Sequence, residues 1–146
     1  MSTEEQDNAK IRARAYLIER GVDPVNHGGA GMRTFLNIAE LWSLSDHEQM
    51  DLLDIEDPAV FEQWKVQVRS NEAIAIPVDV IVRIGCILSI YRSLLTLFSE
   101  ERSADWLRAA NTHPTFGGRS ALAVMTTGEL DDLDAVVRYL LGEIHS

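Results

Sequence analysis

The sequence predicts an all-α protein. Apolar residues recur at spacings of three and four in nearly every segment, which is the period of a helix with one buried face. Serine, aspartate, proline and glycine stand between those segments where helix starts and stops belong. No stretch longer than a few residues follows the alternation of a strand. With 46% hydrophobic and 25% charged residues in 146, the chain has the composition of a globular domain, or of two small subdomains sharing one core.

Residues 1–31 read as an N-terminal helix and a Gly-rich loop. The helix runs from Ala9 to Arg20 and is closed by Gly21, and the connector Val22 to Gly31 reads VDPVNHGGAG. Residues 32–73 read as a helix-turn-helix-like unit of three helices. Met32 to Trp42 carries Phe35, Ile38, Leu41 and Trp42 on one stripe. Ser45 to Glu48 has the pattern of a capping box, and the helix it opens carries Met50, Leu52 and Leu53. Asp57 then stands at an N-cap with Pro58 at the first helical position, and Phe61, Trp64 and Val68 share one face of the third helix.

Residues 74–98 predict a long central helix opened by Pro77 and Asp79. Ile81, Ile84, Leu88, Tyr91, Leu95 and Phe98 continue its apolar pattern, while Gly85, Ser89, Arg92 and Thr96 make another side. A helix apolar over so much of its girth is central to a fold or shared between two copies, and a homodimer is expected. Pro77, Asp79, Arg83 and Arg92 interrupt the segment, which argues for a core helix rather than a membrane span. Residues 99–146 break into shorter helices. Ser103 is expected to cap Ala104 to Ala110, burying Trp106 and Leu107. Ser120 is expected to cap Ala121 to Thr127, with Gly128 as the left-handed stop. Asp131 or Asp132 opens a last helix through Leu133, Val136, Val137, Leu140 and Leu141, ending at Gly142.

The formal net charge is -10 and the sequence pI about 4.7. Such a chain is repelled by phosphate backbones unless its basic groups are gathered, and it suits a basic partner. The single cysteine, Cys86, lies in an apolar run and is expected to be a small buried hydrophobe. The N-terminal MSTEEQDNAK has no apolar core of a secretory signal, so a cytoplasmic protein is expected.

The stretch NTHPTFGGRSAL, Asn111 to Leu122, gathers a histidine, two glycines, an arginine and a serine. A serine nucleophile needs a base within hydrogen-bond reach and a third group to orient it. Capping explains Ser120 more simply. His27, His47, His113 and His145 show no ligand spacing, and the HGGAG segment lacks the preceding strand and the lysine of a phosphate loop. No catalytic residue, metal or cofactor is expected, and the protein is not expected to be an enzyme.

A second candidate is DNA readout by the third helix of the 32–73 unit, where Glu62, Gln63, Lys65, Gln67 and Arg69 are expected to face outward. Gln63 and Gln67 have the chemistry to read adenine edges, and Lys65 and Arg69 to hold phosphates. Opposing this, every charged residue from Glu40 to Glu62 is acidic.

Trp106-Leu107, Asn111, Phe116-Gly117-Gly118-Arg119-Ser120, Leu122 and Thr127-Gly128 resemble the toxin-binding domain of Xre/MbcA/ParS-type antitoxins. The likeness extends from about Arg33 to Leu141, with Trp42-Ser43-Leu44-Ser45 before the second helix and Trp64-Lys65 in the third. Ala121 departs from the family's proline, Ala110 stands where proline often precedes the asparagine, and Asp54 replaces a turn glycine. The resemblance implies an antitoxin whose partner is a RES-domain toxin, similar to ADP-ribosyl transferases and able to deplete NAD. It further implies docking over the toxin's NAD entrance and, for the complexes, repression of their own operon. On this reading Phe116 plugs beneath the turn, Arg119 and Arg138 are toxin anchors, and Glu143, Ile144, His145 and Ser146 form a tail that reaches into a cleft.

Overall fold

A computed structural model describes residues 28–146; the expected helix Ala9 to Arg20, its Gly21 stop and the connector as far as His27 lie outside them. The described residues form seven helices and no strand: α1 (Gly28–Leu41), α2 (Asp46–Leu53), α3 (Pro58–Arg69), α4 (Val78–Leu97), α5 (Glu100–Arg108), α6 (Ala121–Met125) and α7 (Leu130–Ile144). The all-α class holds.

The caps show how the sequence sets these boundaries. At α2, the Glu48 N–H donates to Ser45 Oγ at 3.1 Å and the Ser45 N–H donates to Glu48 Oε1 at 2.9 Å, which completes the capping box. The helix ends at Asp54, in the left-handed region with φ 54°. Aspartate tolerates that region better than most side chains, so it substitutes for the glycine expected in this turn. At α3, Asp57 accepts from the Ala59 N–H at 2.9 Å and Pro58 takes the first helical position.

Several boundaries differ from the sequence expectation, among them the start of α7, where Glu129 is the N-cap residue and the helix begins at Leu130 rather than at Asp131 or Asp132. Gly28 to Gly31 are helical, not loop. A β-carbon on Gly28 would come within 3.3 Å of the Ile81 side chain, so this glycine lets α1 approach α4 closely, whereas one on Gly31 would meet Ile84 at ordinary contact distance. Ser99, rather than Ser103, caps α5 by accepting from the Arg102 N–H at 3.3 Å. Ser103 sits one turn inside the helix, where its buried hydroxyl donates to the Ser99 carbonyl at 2.8 Å. Gly142 does not end α7, because it never enters the left-handed region and the helix continues to Ile144.

Helix α4 is the axis of the fold. It packs against α1, α2, α5 and α7, and Ile87, Ile90 and Leu94 are wholly inaccessible. By length and composition alone it would pass as a membrane span, but 67% of that window is buried within the fold. Most of its surface is therefore covered within one chain, while Arg92, Leu95 and Thr96 stay exposed. Arg83 is buried with it. The Arg83 Nη2 group donates to the Gly128 carbonyl at 2.9 Å and lies 3.8 Å from Asp54 Oδ2, while Nη1 finds no partner among the described residues. Cys86 is buried as expected, and desolvation pushes its thiol up to about 12.

A second arginine joins the two halves at the surface. Arg108 of α5 donates through both Nη groups to the Glu48 carboxylate at 3.0 Å and through Nη2 to the Ser43 carbonyl at 3.0 Å. This guanidinium holds the Glu48 carboxyl below its ordinary range. A depressed carboxylate stabilises the fold above its unfolded value, near pH 4.5, and that contribution is lost as the pH falls through the folded value below it. Glu48→Gln keeps the capping pattern and removes the charge. The variant is expected to melt about 3 °C below the wild type at pH 7, corresponding to under about 1 kcal/mol because Arg108 is nearly half exposed. The two proteins should converge as the pH approaches 3, a comparison made by thermal unfolding followed by circular dichroism. A gap that stays constant with pH would remove the ion pair as its cause.

Candidate functional site

The site is built on the loop between α5 and α6, the same NTHPTFGGRS stretch. Its neck is closed where Ala110 bridges Ser120 and the Asn111 N–H donates to the Arg119 carbonyl at 3.1 Å. The Gly118 N–H returns a bond to the Asn111 carbonyl at 2.9 Å. Within the loop the Phe116 and Gly117 N–H groups both donate to the His113 carbonyl, at 2.9 and 3.1 Å. Asn111 Oδ1 accepts from the His113 N–H at 3.0 Å, and His113 Nδ1 accepts from the Thr115 N–H at 3.1 Å. The loop thus satisfies much of its own backbone and holds one shape without a partner.

That shape presents an aromatic shelf. Phe116 is fully buried, as expected of the plug, and meets Tyr139 of α7 edge to face at 5.0 Å and Trp106 of α5 at 5.8 Å. Trp106 and Tyr139 lie nearly parallel at 6.4 Å, and the His113 ring closes on Tyr139 at 4.6 Å. Trp106 and Tyr139 are half-buried while His113 is exposed, so the cluster is anchored inside and open outside. The Tyr139 hydroxyl is raised above its ordinary range, first by desolvation and then by the nearby Glu143 carboxylate. Sequence reasoning missed Tyr139, because only the fold brings His113 to a helix that begins beyond Gly128.

Ser120 and His113 are both committed elsewhere. Ser120 Oγ accepts from the Ala123 N–H at 3.1 Å as the cap of α6, and His113 Nδ1 is occupied by the loop backbone. These bonds give both residues a place in the scaffold of the loop and of α6. Among the described residues no group of three His, Cys, Asp or Glu is placed to hold a metal ion.

The expected toxin anchors divide into two groups. Arg119 is exposed at the end of the loop, its Nε donating to the Phe116 carbonyl at 3.3 Å. Arg138 is exposed on α7 but ion-paired with Asp134 at 3.0 Å. The last residues do not form the expected tail beyond a helix stop. Glu143 and Ile144 complete α7, the His145 N–H donates to the Leu141 carbonyl at 3.1 Å, and Ser146 Oγ donates to the Glu143 carbonyl at 2.9 Å. Tyr139, one turn before Glu143, brings this terminal turn beside the loop.

The expected DNA-reading residues are placed less coherently. Gln63 and Arg69 are exposed and Gln67 is partly so. Lys65, expected to face outward, is buried instead. Its Nζ pairs with Glu62 at 2.9 Å and Asp46 at 3.5 Å and lies 4.6 Å over the Phe61 ring. Phe61, Lys65 and Val68 form the inward row of α3, and the i, i+4, i+7 spacing was the sequence signal for it. A cleft of about 560 Å³ beside this row is lined by Arg33, Asn37, Glu40, Asp46, Lys65 and Arg69, with charges of both signs.

Against known proteins, the model of one family, the antitoxin Xre/MbcA/ParS C-terminal toxin-binding domain, matches residues 93–142. The protein y4oB of Sinorhizobium fredii is 37% identical over 112 residues, which cover 76% of this chain and 81% of that protein. No solved structure matches. The family match spans the end of α4, the loop and most of α7, and therefore the whole aromatic shelf.

Proposed function

This chain belongs to the Xre/MbcA/ParS antitoxin family, and from that premise we propose that it neutralises a RES-type, NAD-depleting toxin in the cytoplasm by covering the entrance to the toxin's active site. The observation that carries the reading is the coincidence of the matched toxin-binding segment with a rigid exposed loop held on an aromatic anchor. Inhibition by occlusion needs complementary area and a few anchors, not a reactive group of the inhibitor's own. Arg119, Arg138 and the terminal turn from Glu143 to Ser146 border that surface and are the proposed contacts. A homodimer would place two such surfaces on one particle.

The test is co-expression with a RES-type toxin, taken from an adjoining reading frame if that frame encodes one. The wild-type chain is expected to restore growth and to protect cellular NAD. Growth arrest that persists with both proteins present and folded would overturn the reading.

A second reading, repression of its own operon, is supported by the trihelical arrangement of α1, α2 and α3 and by the exposure of Gln63 and Arg69. Neutralisation of Lys65 by two carboxylates opposes it. Operator binding that weakens steeply with salt and is lost in Arg69→Ala would favour this activity.

A further inference from the structure

We infer that the toxin is gripped by the bare tip of the α5–α6 loop, Gly117–Gly118, with Arg119 reaching a carboxylate on the toxin; this rests on the antitoxin reading above. The first support is that the tip is open to a partner. A β-carbon added at Gly117 or Gly118 would meet no atom within 4 Å. Gly117 and Gly118 have φ 60° and 87°, left-handed backbone that favours glycine at both, although asparagine also adopts the first. Glycine there serves the reversal of the chain, and no internal side chain fills the space above either position. Such a tip leaves main-chain groups open to close approach by another molecule.

The second support is preorganisation. The neck bonds, the two donors to the His113 carbonyl and the buried Phe116 ring fix the tip before any partner arrives. Docking then orders little, and the area covered is converted more fully into affinity. The third support is local charge. No aspartate or glutamate occurs from Trp106 to Gly128, although the chain as a whole carries -10. Arg119 is exposed, and no carboxylate of the described residues pairs with it. The partner that fits here has a carboxylate facing Arg119 and an apolar surface against Pro114, His113 and Tyr139. That chemistry is opposite to the basic partner suggested by net charge alone.

The test measures affinity of the full chain for a catalytically silenced form of the RES-type toxin whose growth arrest it relieves, by titration calorimetry, together with growth rescue. Gly117→Asn places a side chain in the open space while suiting the local backbone, so its melting temperature should stay within a few degrees of wild type. Its affinity should fall at least tenfold, the signature of a central contact. Arg119→Glu should weaken binding about 100-fold, since it turns an attraction into a repulsion. Wild-type affinity in a folded Gly117→Asn and in Arg119→Glu would overturn the inference while leaving the antitoxin role intact. Absence of binding by the wild-type chain would instead overturn the role on which the inference stands.

Discussion

Phe116→Ala is expected to destabilise the protein by about 3–5 kcal/mol, the range for removing a fully buried aromatic ring. The ring is wholly inaccessible and packs edge to face against both Trp106 and Tyr139, so its loss leaves a cavity that neither neighbour can collapse into without leaving the other. Its N–H and carbonyl also hold the loop, donating to the His113 carbonyl and accepting from the Arg119 N–H, but those bonds survive the substitution. The effect should therefore appear as a fall in the urea midpoint together with loss of near-ultraviolet signal from Trp106 and Tyr139. Phe116→Leu keeps most of the volume and is expected to lose far less, about 1 kcal/mol. A loss below about 1 kcal/mol for the alanine variant would show that the shelf stands without its anchor.

The second large effect is expected at Arg83, and it should depend on what replaces the arginine. Arg83→Ala opens a cavity along α4 and strips the Gly128 carbonyl of its donor, and a cost of about 3 kcal/mol or more is expected. Arg83→Met fills much of the same space. It also removes the Nη1 group, which has no partner among the described residues, and Asp54 is exposed enough to stay hydrated alone. The methionine strips the same half-buried Gly128 carbonyl of its donor, so its cost should be about 1–2 kcal/mol, still below that of alanine because the space stays filled. Equal losses in the two variants, measured by urea titration, would assign the stability to the polar tie instead of to packing.

These effects bear on how much of the molecule was legible in its sequence. Ser45, Asp57 and Ser120 were readable as caps because each is a short-range device whose partners lie within three residues. Ser99 and Ser103 stand four apart before the same helix, and local pattern alone does not choose between them. The segment 28–31 was misread because a Gly-rich stretch signals a loop locally, whereas Gly28 packs closely against Ile81 far along the chain. Lys65 has the same lesson, since a charged side chain on the inward row of α3 becomes tolerable only when Glu62 and Asp46 close over it. At the site, the loop and its plug followed from the motif. Tyr139 and the Arg108–Glu48 contact did not, because they join residues that only the helix packing brings together.

Helix α4 carries a final consequence for genetics. Because the same helix braces the trihelical unit on one side and α7 on the other, alleles that disturb it will be pleiotropic and lose every activity together. A selection for variants that lose toxin protection yet keep any operator function should therefore recover changes on the outer surfaces, and almost none from the helix that joins them.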